Sequence, residues 1–485
     1  MQNQVYFLNQ NLALLLIIAV SLLFAVIGIL YSRKHQGLSN YLTAGRNVGT
    51  TSLTTSLVAS ALGAWILFGP ASAATWGGIG SVIGYSLGTA FPMIAFIFLG
   101  TKIRKVFPRG HTLTEFIHYK FGKKLFKLIL ILTVFYMFIF LCAEVTAVSM
   151  LVNYISGTPL WLTATLVVVT TLVYTLYGGL RASILTDNLQ FFIVLILLSI
   201  CAYYLFSLNS GSISFQVVKT NSQHLLSNKY IPNYTAGLTF FIAVAATNLF
   251  HQGNWQRVFA AKDNRVLKKS LWLSFIIIIP IVFFMGISGI IAVSLDSKVN
   301  PDLAFFSIIL KDKAEFLSML IIILAVSLTV STIDTLVNAI SSLVVVDGKN
   351  FYDDPKKKDF LRLSKVFIII LSVISLIIAS KGFSILYLFL LADLLCCAAV
   401  FTVFYGFYQK EFNERNAMIS ILIGLFLGLL LFPNPDFSKS ILVGTLLPFD
   451  LFPQIISSSL LFWSFLVATL GPTIVIMIYD SFKRR

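Results

Sequence analysis

Ser331, Thr332, Asp334 and Thr335 stand in the middle of a long, mostly apolar stretch, residues 316–346. On a helix, Ser331, Thr332 and Thr335 fall at i, i+1 and i+4, so their hydroxyls share one broad face. Hydroxyl, carbonyl and carboxylate oxygens suit a hard monovalent cation. Asp334 sharpens the case, because an ionised carboxylate at membrane depth is costly unless it is paired or coordinates an ion. Hydroxyls that merely bonded back to their own helix would leave Asp334 unexplained.

Two other segments carry chemistry of the same kind. Thr50 to Trp65 is dense in hydroxyl-bearing and small residues, and Gly69-Pro70 follows it. Pro70 cannot donate a backbone hydrogen bond and the glycines weaken a helix. The segment therefore predicts an interrupted membrane helix whose freed carbonyls could face a cation. The same composition also suits close helix packing, and the segment alone does not choose between the two. Tyr177-Gly178-Gly179 ends one helix, and Thr186 or Asp187 can cap the next. Capping is one role for Asp187, and contact with an ion is the other.

The elements that must position these residues are membrane spans. Of the 485 residues, 58% are hydrophobic and 11% charged, with a mean hydropathy of +0.91. A water-soluble domain cannot hide that much apolar surface. A bilayer core of ~30 Å needs ~20 apolar residues per helix. About thirteen runs qualify: 12–31, 48–74, 80–100, 125–155, 160–178, 188–207, 234–252, 270–295, 316–346, 363–380, 383–408, 417–432 and 460–480. With the amino terminus outside, 28 basic residues fall on the cytoplasmic side and 7 on the other. That asymmetry is what retained Lys and Arg produce, and it supports thirteen spans with the carboxyl terminus inside. The expectation is an all-α, multi-pass protein of the cell membrane, forming a single transport domain over 1–485.

Composition also excludes. The net charge of +16 sits in inter-helix loops, which argues against nucleic acid as a partner. No ATP-binding loop, H-E-x-x-H or G-x-S-x-G motif is present, so an enzyme is not expected. Cys142, Cys201, Cys396 and Cys397 lie in apolar runs and read as buried thiols. The partners expected are the lipid bilayer and a small solute, with no obligatory protein partner.

The residues resemble the sodium:solute symporter family, which contains sodium/proline, sodium/glucose and sodium/sialic acid symporters. The resemblance covers nearly the whole chain. It rests on Tyr41-Leu42-Thr43-Ala44-Gly45-Arg46, on Ala59 to Trp65, and on Tyr177-Gly178-Gly179 through Thr186-Asp187 to Gln190. It rests further on Gln256-Arg257 to Ala261-Lys262, on Asn300-Pro301-Asp302-Leu303-Ala304 and on Ser331-Thr332. The family implies a LeuT-like core of two inverted five-helix repeats, here 48–207 and 234–408. A peripheral helix at 12–31 would precede them and peripheral helices over 417–485 would follow. By resemblance, a sodium ion would be held by carbonyls of Ala59, Leu62 and Leu328 with the hydroxyls of Ser331 and Thr332. A second sodium site, or a proton relay, transfers to Asp187, Ser331, Asp334 and Thr335. There it would hold two carboxylates where relatives have one.

For the solute, the family's site lies between the broken helix, the span after it, and the seventh and eleventh spans. Candidates are Trp65, Phe68, Tyr85, Asn248, Phe250 and Gln252, with Glu144 and Asp393 as acids at membrane depth. No Arg or Lys is expected well inside the spans lining this pocket, which favours neutral or cationic solutes over carboxylic acids. Cys142-Ala143-Glu144-Val145-Thr146-Ala147, with Trp255-Gln256-Arg257, is similar to the branch containing urea and polyamine transporters. Proline symporters carry an acid one residue before the position of Leu62, where this chain has Ala61. The expected function is sodium-coupled import of a small polar solute, urea-like or polyamine-like. The rivals are a sodium/amino acid symporter, a proton-coupled transporter and a membrane solute sensor.

Overall fold

The computed structural model describes residues 6–205, 215–310, 315–351, 359–408, 413–437, 439–440 and 453–483. Parts of the two longest expected loops, Leu208–Asn233 and Pro433–Ser459, lie outside the described residues. So do Lys311, Lys313, the basic run Lys356-Lys357-Lys358, Lys410 and the terminal Arg484-Arg485. The helices are α1 Gln10–Arg33, α2 Leu38–Thr43, α3 Thr50–Ala61, α4 Gly69–Val106, α5 Leu113–Phe121, α6 Lys123–Ser156 and α7 Leu160–Tyr203. There follow α8 Phe215–Asn221, α9 Ile231–Phe250, α10 Gln252–Ala260, α11 Asn264–Leu295, α12 Ala304–Ile309 and α13 Glu315–Ser342. The chain continues with α14 Gly348–Phe351, α15 Phe360–Ala379, α16 Ile385–Gly406, α17 Glu414–Leu431, α18 Gln454–Ser457 and α19 Leu460–Lys483.

Among the described residues, ten continuous helices are long and apolar enough to cross a bilayer. Two of them are too long to cross only once. At ~1.5 Å per residue, α4 and α7 would span about 57 and 66 Å, against a core of ~30 Å. Each turns back at a glycine with positive φ, Gly78 (58°) in α4 and Gly179 (61°) in α7. A side chain there would be strained, and at Gly179 it would also press on the Cα of Tyr41 at 2.7 Å. The first part of α4 continues α3 across a break, and α9 with α10 make a second interrupted crossing. Counted this way, the helices make the thirteen crossings read from the sequence.

The interruption in the first repeat does not fall where Pro70 predicted it. Leu62 and Gly63 leave helical geometry (ψ 89° and −176°), and a short 3-10 turn, Ala64–Leu67, separates α3 from α4. Pro70 sits in the first turn of α4, where a missing N–H costs nothing. The second interruption is at His251 (φ −62°, ψ 107°), between α9 and α10.

The helix α4 packs on α9 and α11, and α7 packs on α1, α3 and α13. Gly80, Gly84 and Gly88 recur every fourth residue on α4. A Cβ at any of them would collide with backbone of α9, so the two helices touch main chain to main chain. The most enclosed crossings are α13 and α16, each with 78% of its apolar window buried. By contrast α1, α15, α17 and α19 are only 22–33% buried and present their apolar faces outward. The four cysteines are buried and free.

Candidate functional site

At the end of α3 the Leu62 N–H still donates to the Val58 carbonyl at 3.0 Å, and beyond it the chain leaves helical geometry, so the carbonyls that follow have no helical donor one turn on. Across from this end lies α13. The approach is close: a Cβ on Gly63 would stand 2.7 Å from Thr332 Oγ1. Ala59, Leu62, Leu328 and Ser331 line one small cavity here, with Gln190, Phe191 and Val194 of α7 and Ile281 of α11. Its free volume, about 10 Å³, is room for about one water-sized particle. Thr332 Oγ1 donates to the Leu328 carbonyl at 3.1 Å. Ser331 Oγ donates to Asp187 Oδ1 at 2.7 Å, which leaves the lone pairs of that hydroxyl available.

The second expected ion site is organised differently. Asp187, Ser331, Asp334 and Thr335 are all buried, but they do not form one empty oxygen cluster. Arg257 of α10, fully buried, reaches between them. Its Nη2 donates to Asp187 Oδ2 at 2.6 Å and to Thr335 Oγ1 at 3.0 Å. Its Nε donates to Ser56 Oγ at 2.7 Å and its Nη1 to the Gly253 carbonyl at 3.0 Å. Ser56 in turn donates to Asp187 Oδ2 at 2.6 Å. A guanidinium thus takes the carboxylate and the hydroxyl that a second sodium was expected to use. Asp334 belongs to a neighbouring network, accepting from Tyr174 OH (2.7 Å), Ser183 Oγ (2.5 Å) and Thr186 Oγ1 (3.2 Å). Asp187 therefore does not cap a helix; it holds Arg257.

Arg257 is a basic group inside the spans, although it does not line the cavity where the solute residues were expected. The seventh span was read as ending at residue 252, which put Arg257 among loop charges. In fact α10 continues inward from His251, and every one of its residues is buried.

A second cavity lies beside the interrupted helix. Trp65, Tyr85, Asn248 and Asp393 line it with Ala61, together with residues the sequence did not single out: Phe140, Phe389, Thr247, His251 and Ser60. Asp393 Oδ1 accepts from Thr247 Oγ1 at 2.7 Å. Rings pack around it: Trp65 stacks on Tyr85 (centroids 5.7 Å), and Phe140 meets Phe389 edge-on at 4.6 Å. With about 20 Å³ free, this conformation has room for only one or two waters. Admitting a larger molecule requires the rings to part.

Four of the expected solute residues are elsewhere. Phe68 turns away at the start of α4 and packs edge-on against Phe306 at 5.0 Å. Phe250 packs against Phe404 at 5.5 Å. Gln252 is spent on structure: it accepts from the Leu113 N–H (3.2 Å) and donates to the His111 carbonyl and Ser342 Oγ (3.1 and 3.2 Å). Glu144 fills the break itself. Its Oε2 accepts from the Ala64 N–H at 2.9 Å and its Oε1 from the Trp65 N–H at 3.4 Å. Glu144→Ala should destabilise the chain by about 1–3 kcal/mol, the cost of stranding buried donors. Glu144→Gln, which keeps one acceptor oxygen, should cost less, and thermal unfolding of the two variants tests this.

Two interrupted crossings, with a water-sized cavity at one break and a ring-lined cavity beside it, are the architecture of the LeuT fold. Residues 41–424 match the model of the Sodium:solute symporter family, and the chain belongs to that family. It is 27% identical over 414 residues to the spermidine transporter DUR31 of Candida albicans, covering 82% of this chain and 77% of the relative. It is 23% identical over 448 residues to the urea active transporter of Saccharomyces cerevisiae, covering 82% and 59%. The chain thus spans less than two thirds of that second relative. Among solved structures, a Na+-coupled sialic acid symporter in a substrate-bound outward-open state superposes with a TM-score of 0.73 at 15% identity, over 96% of both chains. Mhp1, a nucleobase-cation-symport-1 family transporter, gives 0.54 at 16% identity, covering 91% of this chain and 96% of that one. The protein is a multi-pass membrane transporter.

Proposed function

We propose that this chain imports a small cationic amine together with sodium, by alternating access. Asp393 carries the assignment: a buried carboxylate opens on a cavity walled by Trp65, Tyr85, Phe140 and Phe389. A carboxylate supplies charge and hydrogen bonds to an ammonium group, and aromatic faces attract a desolvated cation. Asn248 and the His251 ring, whose Nδ1 has no partner among the described residues, offer hydrogen bonds to the rest of the solute. A carboxylic acid fares badly there. The backbone donors at the helix break, which could have received its oxygens, are already taken by Glu144. The likeness to a spermidine transporter supports the same choice. A urea-like solute is the neutral alternative, supported by the second relative.

Sodium would occupy the cavity between α3 and α13, held by carbonyls of Ala59, Leu62 and Leu328 with Ser331 Oγ and Thr332 Oγ1. These oxygens come from two different helices. The ion therefore fastens the interrupted helix to α13 and steadies Trp65 at the solute cavity. The amino terminus would face outside, and the two repeats would be 48–207 and 234–408, each opening with an interrupted crossing. One sodium and one doubly protonated diamine such as putrescine would move about three charges inward, each worth ~2.3 kcal/mol per 100 mV. A proton-coupled reading also has an observation behind it. Asp187 and Asp334 are two buried carboxylates against one guanidinium, and a proton on Asp334 would balance them.

Uptake into proteoliposomes separates these readings. With sodium outside and potassium inside, putrescine and spermidine should accumulate and proline should not. Equal uptake in potassium medium that follows an imposed pH gradient would instead favour the proton. Ser331→Ala should raise the half-saturating sodium concentration about tenfold, the loss of one ligand worth ~1.4 kcal/mol, while protein remains folded in the membrane.

A further inference from the structure

A cavity of about 480 Å³ lies apart from both sites, between α6, α15 and the end of α13. Every residue that lines it is apolar. It faces the bilayer: Ile131, Phe135, Phe351 and Leu363 on its walls are all exposed, and α15 is only 22% buried. The hollow has a local cause. Residues Leu343–Asp347 form a π-helical turn, which is wider than an α-helical one, and Leu343 and Val344 of that turn line the groove. Gly348 follows, and a Cβ there would press on the Phe360 ring at 2.9 Å, so α14 rests on the start of α15.

The walls run from Leu130 to Phe138 on α6 and from Leu363 to Leu371 on α15. Each stretch is about 12 Å long at ~1.5 Å per residue. One leaflet contributes about half of a ~30 Å hydrocarbon core. Both helices start on the side of the bundle that holds the basic excess, α6 with Lys123, Lys124 and Lys127, and α15 with Arg362 and Lys365. The groove therefore begins near that surface and ends near mid-membrane. At the surface end Lys127 Nζ stands over the Phe351 ring, 4.9 Å from its centroid. Among the described residues Lys127 pairs with no carboxylate. The chain's next residues are a poor filler, since 352–358 are one Tyr, two Asp, one Pro and three Lys.

We infer that this groove holds one acyl chain of an anionic phospholipid of the cytoplasmic leaflet, with the lipid phosphate on Lys127. Neither the sodium site nor the solute site is needed for it. The apolar walls take the hydrocarbon, and an unpaired ammonium at the mouth selects a negative headgroup. A seated chain braces the end of α13 against α6 and α15, and α13 is the helix that carries Ser331 and Thr332.

The test uses the purified, delipidated full chain in detergent. Thermal unfolding is followed as phosphatidylglycerol or phosphatidylcholine with identical acyl chains is added. Phosphatidylglycerol should stabilise at about one fifth of the phosphatidylcholine concentration, the preference that one lysine provides. Lys127→Gln should abolish that preference and Lys127→Arg should keep it. Val134→Trp, which fills the groove from α6, should remove the response to both lipids, with an unfolding temperature in their absence no lower than that of the wild type. Equal response of the wild type to the two lipids, or an unaltered preference in Lys127→Gln, overturns the assignment. A full lipid response in Val134→Trp overturns it as well, by placing the lipid elsewhere. Conversion of a dimer to a monomer by Val134→Trp, read by light scattering, would put a second copy of the chain in the groove instead.

Discussion

Replacing Asp187 by Ala should destabilise the folded chain by about 3–5 kcal/mol, the cost of leaving one partner of a buried ion pair behind. Arg257 has no exposure, and its Nη2 lies 2.6 Å from Asp187 Oδ2. Ser56, Thr335 and the Gly253 carbonyl would still accept from the guanidinium, but none of them carries charge. Asp187→Asn keeps the shape and one acceptor, so it should fall between wild type and alanine. Removing both charges, as Asp187→Leu with Arg257→Met, should recover most of the stability, because a buried pair returns little beyond its own desolvation. A double-mutant cycle by thermal unfolding in detergent measures the coupling. Simple additivity would mean the two side chains do not depend on each other.

Asp393→Asn should raise the half-saturating concentration of putrescine about 100-fold. At ~1.4 kcal/mol per tenfold, that is about 2.8 kcal/mol, the size of a hydrogen bond to a charged group. The substitution keeps an oxygen that can accept from Thr247, so the helix contact survives and the charge alone is lost. Urea carries no charge, and any urea transport should change by less than a factor of three. Concentration-dependent uptake of the two solutes by the same proteoliposomes gives the comparison. Equal effects on both would mean that Asp393 only braces α9 against α16.

How far the sequence carried depended on whether a feature was local. Ser331, Thr332 and Asp334 betray themselves because polar oxygens in an apolar run need a reason. Asp393 and Glu144 stand out in the same way. Their partners do not, since Glu144 bonds to a peptide 80 residues away and Thr247 lies 146 residues from Asp393. The break at Leu62–Gly63 was misplaced toward Pro70, because proline is harmless in a first helical turn and the real cause is tertiary. Glu144 and Thr332 both press on Gly63, just past the end of α3, where a Cβ would meet each of them closer than 3 Å. Phe68 failed for a related reason: the 3-10 turn before it shifts the helical phase, so a residue spaced like Trp65 points toward Phe306. Arg257 was hidden most completely. Five basic residues between 257 and 269 look like a loop, and only the inward course of α10 after His251 makes the first of them a core residue.

Both cavities touch the same interrupted helix, so the proposed binding of ion and solute should be interdependent. Linkage requires each to strengthen the other by an equal factor. Trp65 lines the solute cavity, so its fluorescence can report putrescine binding to the purified protein in sodium or in potassium medium at equal ionic strength. The putrescine dissociation constant should fall at least tenfold in sodium, and saturating putrescine should lower the sodium midpoint by the same factor. Identical putrescine affinity in the two media would contradict a sodium ion seated at the α3–α13 break.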